Sequence, residues 1–166
     1  MVGSHGSCMA GLDTETLTGL MREYGPRLLL FAGTWTRHPE DAVQEAFLAL
    51  ALRKTVPDHT TAWLFGAVRQ QALQMVRAEC RRERRQLEVG KSVAGPPQTL
   101  LAADQRLDAE TALAILDVEH REIVVARIWG GLSFEEIGRL TGVSAATAWR
   151  RHEEALAQLK NRLEDQ

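Results

Sequence analysis

Cysteine is nearly missing from this chain: Cys8 and Cys80 are the only two among 166 residues. With five scattered histidines they form no C-x-x-C, no H-E-x-x-H and no other ligand spacing. Neither a disulfide framework nor a metal site is expected, and a reducing cytoplasm is the default compartment. No apolar run is long enough to span a bilayer and no secretory leader is visible, so no membrane insertion is expected. No nucleophile–base pair or metal cluster stands out, so an enzyme is the least expected reading and no cofactor is expected. An excess of positive charge is lacking too: 20 Lys and Arg face 22 Asp and Glu, for a net charge of −2 and a pI near 6.2. That lies below the basic balance of a stand-alone nucleic-acid binder. Any DNA affinity must come from locally clustered arginines, or from a partner that supplies the rest. β-Branched residues are sparse, no segment alternates with period two for long, and there is no internal repeat, so a sheet or a solenoid is not expected.

What remains is helical. Hydrophobic residues at 45% suit a folded protein, and their spacing reads as an all-α fold of two small domains joined by a flexible linker, the C-terminal one a helix-turn-helix. The Gly/Ser-rich opening makes residues 1–10 a disordered tail or vector scar. An N-terminal helical domain covers 11–86. In it, Leu17, Leu20, Met21, Tyr24 and Leu28 recur at helical spacing from Asp13 to about Phe31, with Pro26 expected to kink or divide the helix. After Pro39, a second helix from Glu40 to about Leu52 has Val43, Ala46, Phe47 and Leu50 inward and Asp41, Gln44, Glu45 and Leu48 on the opposite rim. A long helix follows from about Thr61 to Arg85. Gly90, Gly95, Pro96 and Pro97 break periodicity, which makes 87–103 a linker. Helices return in 104–166, at roughly Gln105–Leu116, at Glu119–Trp129, and in a final pair.

That final pair carries the most specific local signal. Ser133 caps a short helix, and Glu136, three residues on, completes a capping box. Ile137 and Leu140 form its apolar side, Gly142 stands where the chain turns with positive φ, and Ser144 caps the next helix. This is the pattern of a helix-turn-helix, whose second helix commonly enters the DNA major groove. A helix pair that only packs remains the alternative.

The long helix carries a second signal. Leu64, Val68, Gln71 and Met75 form a stripe whose period predicts burial. Gln70, Gln74, Arg77 and Arg81 form another, polar and then basic, and Arg82, Arg84 and Arg85 extend the charge. A solvated helix terminus explains some of this; five arginines in nine residues favour phosphate contact. Trp63 and Phe65 are either base-stacking or core residues.

Taken in order, Glu40-Asp41-Ala42-Val43-Gln44-Glu45-Ala46-Phe47, then Ala62-Trp63-Leu64-Phe65 opening an Arg-rich helix, then a Pro/Gly linker and the helix-turn-helix, the chain resembles bacterial RNA polymerase sigma factors. It is most similar to the small extracytoplasmic-function group, over nearly everything from Leu12 to Leu163. The resemblance implies a protein that binds core RNA polymerase and directs promoter recognition and initiation. It places polymerase docking on Asp41, Gln44, Glu45 and Leu48. It matches residues 57–61, including Asp58 and His59, to the loop that captures a flipped base of the −10 element. Trp63, Gln70, Gln74, Arg77 and Arg81 would hold the melted strand. Ser144, Thr147, Trp149, Arg150 and Arg151 would read the −35 element. Partners implied are core polymerase, promoter DNA and an anti-sigma factor or other regulator.

Some positions depart from the family. Gln70 and Gln74 stand where Asn and Asp are frequent, and Gly66 stands at a frequently basic position. Trp149 replaces a basic residue and fits either a thymine methyl or a partner. His152 falls where an apolar residue is usual and is expected to fill core. Glu153 and Glu154 would repel phosphate if they faced the groove. Two other readings stay open: a regulator that binds DNA without polymerase, and a sigma-like decoy for an anti-sigma factor. The linker of roughly 18 residues extends to ~60 Å, and the promoter elements lie ~70 Å apart, so the tether with its domains spans both.

Overall fold

A computed structural model describes residues 12–88 and 111–164, and all regular structure within them is helical. The N-terminal half holds α1 (Thr14–Ala32), α2 (Pro39–Ala51) and α3 (Thr60–Glu88); the C-terminal half holds α4 (Val118–Ile128), α5 (Phe134–Thr141) and α6 (Ala145–Glu164). The expected tail 1–10, linker residues 89–103 and residues 104–110 of the expected C-terminal domain lie outside the described residues.

Asp13 starts α1 by accepting the Thr16 backbone N–H at 2.9 Å and the Thr16 hydroxyl at 2.7 Å. Pro26 does not divide the helix as expected: α1 runs through it in one piece. The missing N–H orphans a carbonyl on an exposed stretch around Arg22 and Glu23, where water can serve it. Beyond the proline, Leu28, Phe31 and Ala32 are fully buried and hold the helix down. Met21, expected inward, is 49% exposed.

Pro39 begins α2 at a position that needs no N–H, and Glu40 and Asp41 complement the helix dipole there. Its inner face is Ala42, Val43, Ala46, Phe47 and Leu50, all buried, and its outer face is as the periodicity predicts. On α3, Leu64, Phe65, Val68 and Ala72 are buried, while Gln71 and Met75 are only partly so. The helix persists to Glu88, so the expected linker start at Leu87 falls inside it.

The helix expected over 105–116 is helical at 111–113 and then turns. Arg121 holds that turn, donating from Nε to the Leu113 carbonyl at 2.9 Å and from its guanidinium to the Leu116 carbonyl at 2.8 Å. Helix-end carbonyls that would otherwise lack donors are thereby satisfied. Asp117 caps α4 by accepting the His120 N–H. Both bonds of the α5 capping box form: Ser133 accepts from the Glu136 N–H at 3.2 Å, and the Glu136 carboxylate accepts from the Ser133 N–H at 2.8 Å. Gly142 ends α5 with φ +80° and returns its N–H to the Gly138 carbonyl. At Gly138 a Cβ would stand 2.7 Å from the Val143 carbonyl oxygen, so the tight turn itself excludes a side chain.

The helices of each half pack on one another, but the halves also meet: α4 lies against α1 and α5 against α3. Their buried side chains form one continuous cluster.

Candidate nucleic-acid interface

Three surfaces carry the predicted residues. The first is α6. Ala148, His152 and Ala155 face inward and fix its rotation, which leaves Ser144, Trp149 and Arg150 exposed and Thr147 and Arg151 at the margin. Ser144 Oγ accepts the Thr147 N–H at 3.1 Å and lies 2.9 Å from the Thr147 hydroxyl. Trp149 is 54% exposed, an apolar surface at the tip of the motif and not a core residue. Arg151 pairs with Glu119 at 2.7 Å, and Arg150 lies 3.7 Å from Glu154. Glu154 also meets His120, and Glu153 meets His152 Nδ1. The glutamates are thus matched by neighbouring cations and imidazoles. His152 is buried edge-on against Phe134, in the core place expected of it.

The second surface joins the loop before α3 to the outer face of that helix. The Thr60 hydroxyl donates to the Pro57 carbonyl at 2.7 Å and closes a turn that leaves Asp58 and His59 exposed. Trp63 is half-buried, with the Arg53 guanidinium over its ring at 5.3 Å. Phe65 is not a base-stacking residue: it is fully buried against Phe31, ring centres 4.7 Å apart. Its spacing to Val68 and Ala72 is the signal for that role. Gln70, Gln74, Arg77 and Arg81 are all exposed, and among the described residues neither Arg77 nor Arg81 has an ion pair.

The third surface is the outer face of α2. Asp41, Gln44 and Glu45 are exposed beside Leu48, 49% exposed, and Leu52 continues the apolar edge. Acid, amide and leucine thus share one exposed face of the helix.

Electrostatics separate structural from available groups. Backbone donation from Ser133 holds Glu136 below the usual carboxylate range, and the His120 N–H does the same for Asp117. Burial pulls His120 down, but the carboxylates of Asp117 and Glu154 outweigh it and raise its pKa. Burial pushes Glu122 up, against the opposing effect of Arg69. The Arg69–Glu122 pair and Gly130 are the residues that sequence reasoning missed. A glutamate leading into the apolar run Ile123–Ala126 was the available signal.

Among the described residues no group of three His, Cys, Asp or Glu could hold a metal, and no helix is long and apolar enough to cross a membrane.

Residues 112–161 match the family described as Sigma-70, region 4. Over 138 residues the chain is 25% identical to the ECF RNA polymerase sigma factor SigK of Mycobacterium tuberculosis and of Mycobacterium bovis, covering 78% of this chain and 74% of that protein. Among solved structures, the sigma factor RpoE of Bartonella quintana in complex with the anti-sigma factor NepR superposes with a TM-score of 0.66 at 23% identity, over 92% of this chain and 98% of that one. CnrH in complex with the cytosolic domain of CnrY superposes with a TM-score of 0.61 at 22% identity, over 95% and 93%. Both are similar in fold.

Proposed function

We propose that this chain, a bacterial sigma factor of the extracytoplasmic-function group, binds core RNA polymerase through the outer face of α2 and carries two separate promoter-reading surfaces. The observation that carries this reading is the simultaneous exposure of Asp41, Gln44 and Glu45 on one helix, of Gln70, Gln74, Arg77 and Arg81 on another, and of Ser144, Trp149 and Arg150 on a third. Each is backed by a buried face that fixes its direction.

In this scheme residues 57–61 receive a base extracted from the −10 element. Extraction costs a few kcal/mol, which the pocket and the strand contacts on α3 offset. Trp63 offers only part of its ring there, so Gln70 and Gln74 contact bases while Arg77 and Arg81 hold phosphates. α6 lies in the major groove of the −35 element, with Ser144 and Thr147 at its leading end, Trp149 against a thymine methyl or a partner, and Arg150 and Arg151 on phosphate. Polymerase supplies the electrostatic attraction that a chain of net charge −2 lacks. The chain acts by binding and not as an enzyme, it needs no cofactor, and it works in the cytoplasm with polymerase. An anti-sigma factor is the proposed regulator, since one protein of the same fold, the sigma factor RpoE, is seen with such a partner.

Run-off transcription with core polymerase on a fragment library of host DNA tests this reading. Transcripts starting from a small, reproducible set of sites are expected. Polymerase binding without transcripts would identify a decoy instead, and polymerase-free dimeric binding to a palindrome a conventional regulator.

A further inference from the structure

Both arginines of α6 stand against carboxylates, but not in the same way. Arg151 is held by Glu119 at 2.7 Å. Arg150 faces Glu154 more loosely, its Nε 3.7 Å from Oε1. The other oxygen of Glu154 lies 3.3 Å from Nε2 of His120 on α4. Glu154 is therefore shared between an arginine that is 66% exposed and an imidazole that is 15% exposed. The charge state of the imidazole decides how it is shared. Nδ1 of His120 lies 2.8 Å from each oxygen of Asp117, and Asp117 is fixed there because it also caps α4, accepting the His120 backbone N–H at 2.9 Å. An ionised carboxylate only accepts, so Nδ1 keeps its proton in either charge state. When the ring is charged, Nε2–H donates to Glu154. When it is neutral, a bare Nε2 lone pair meets a carboxylate oxygen, and the donor left to Glu154 is Arg150. Burial pulls the His120 pKa down, but Asp117 and Glu154 outweigh it, so the ring titrates above 6.5. Of the neighbouring charges, Arg121 is turned to the Leu113 and Leu116 carbonyls and Glu119 to Arg151. Among the described residues no ion pair reaches the ring from α1 or α5, which also pack on α4.

We propose that His120 is a positioning residue for DNA binding: its imidazolium draws Glu154 away from Arg150 and frees that guanidinium for a phosphate, and its neutral form gives Glu154 back and neutralises it. The inference rests on the reading of α6 as the helix in the major groove with Arg150 on phosphate. It gives Glu154, a negative charge on a DNA-facing helix, a use: the carboxylate is a brake on one arginine, set by a ring that itself touches no DNA. Arg151 has no such release, because no imidazole competes for Glu119 among the described residues. The affinity of the helix-turn-helix for DNA therefore falls as pH rises through the His120 titration.

Two measurements on the full chain test the switch and its consequence separately. Nitrogen NMR of the histidine rings follows His120 without DNA. The neutral ring should carry its proton on Nδ1, and Glu154→Gln should lower the titration midpoint. A neutral ring protonated at Nε2, or an unmoved midpoint, overturns the switch. Phosphate contacts do not depend on sequence, so anisotropy with a random-sequence duplex at low salt reads the consequence. The parent should bind about threefold more tightly at pH 6.0 than at pH 8.5, the scale of one exposed ion pair. Its salt slope should be steeper at pH 6.0 by about one unit. His120→Asn should hold the weaker affinity at both pH values, and Glu154→Gln the tighter. Arg150→Ala should bind weakly with no pH dependence. A pH dependence that survives in Arg150→Ala would mean that His120 acts by its own charge, and the inference falls. It falls too if Arg150→Ala weakens binding while the parent is insensitive to pH, and the DNA reading of α6 then stands. If the parent does not bind, or Arg150→Ala matches it at both pH values, it is the DNA reading of Arg150 that fails, and the ring titration still decides the switch.

Discussion

Arg151 on α6 is held by Glu119 of α4 at 2.7 Å, so the second arginine of the helix proposed to enter the groove is already neutralised by its own domain. Its side chain is 28% exposed, against 66% for Arg150. To reach a phosphate it must leave a carboxylate, and the two arginines are therefore unequal. Glu119→Gln should tighten binding to an upstream-element duplex and steepen its salt dependence by about one unit of slope, as expected for one added phosphate contact. Arg150→Ala should weaken binding and flatten the slope by a similar amount. Fluorescence anisotropy across a salt series measures both, and an unchanged slope in Arg150→Ala would remove Arg150 from the DNA contacts.

The docking face makes a prediction that involves no DNA. Asp41→Ala combined with Glu45→Ala removes two exposed charges while leaving the buried face of α2 intact. Core polymerase binding should fall by at least tenfold, about 1.4 kcal/mol, with helical content and thermal midpoint unchanged. Equal binding by pull-down and by titration would show that polymerase docks elsewhere.

The helix-turn-helix should be sensitive to its cap. Ser133→Ala loses one bond of the capping box and leaves the Glu136 N–H without its acceptor. A loss of about 1 kcal/mol is expected, lowering the thermal midpoint by roughly 2–4 °C. Gly142→Ala places a Cβ at φ +80° and should cost a similar amount. Calorimetry of the full chain decides both, and a midpoint unmoved in Ser133→Ala would mean that water replaces the cap without loss.

The pH dependence has a definite sign. His120 lies between Asp117 and Glu154 and ties α4 to α6. Its pKa is raised above 6.5 in the fold. The protonated ring therefore stabilises the folded state fully below that value, and the contribution is lost as pH rises through the raised folded pKa. Asp117 and Glu136 act at the other end: their lowered values give stability that is present above 3.8 and 4.5 and is lost as pH falls through the folded ones. Urea midpoints should fall from pH 6 to pH 8.5, and His120→Asn should flatten that limb. A parent midpoint constant over this range would show that the imidazole does not couple the two helices.

Much of this was legible in the residues because it is local. Ser133 and Glu136 stand three apart and need only a helical turn to meet. The α2 faces follow from a period of 3.6 over one helix, which is why Asp41, Gln44, Glu45 and Leu48 all fall outside. Phe65 and Met21 were less clear, since a side chain at the edge of a helical stripe is assigned by whatever packs there. The missing N–H of Pro26 alone predicts a break, and the buried Leu28 and Phe31 beyond it outweigh that one lost bond.

By itself, then, the chain determined its caps, its helices, the direction each amphipathic face points and the order of its motifs, because these depend on neighbours a few residues away. The tertiary structure alone decided that the two halves share one core. Arg69 and Glu122 are 53 residues apart with the linker between them, and no periodicity connects them. Only the approach of α4 to α1 and of α5 to α3 brings the guanidinium to the carboxylate and the Phe65 ring to the gap at Gly130.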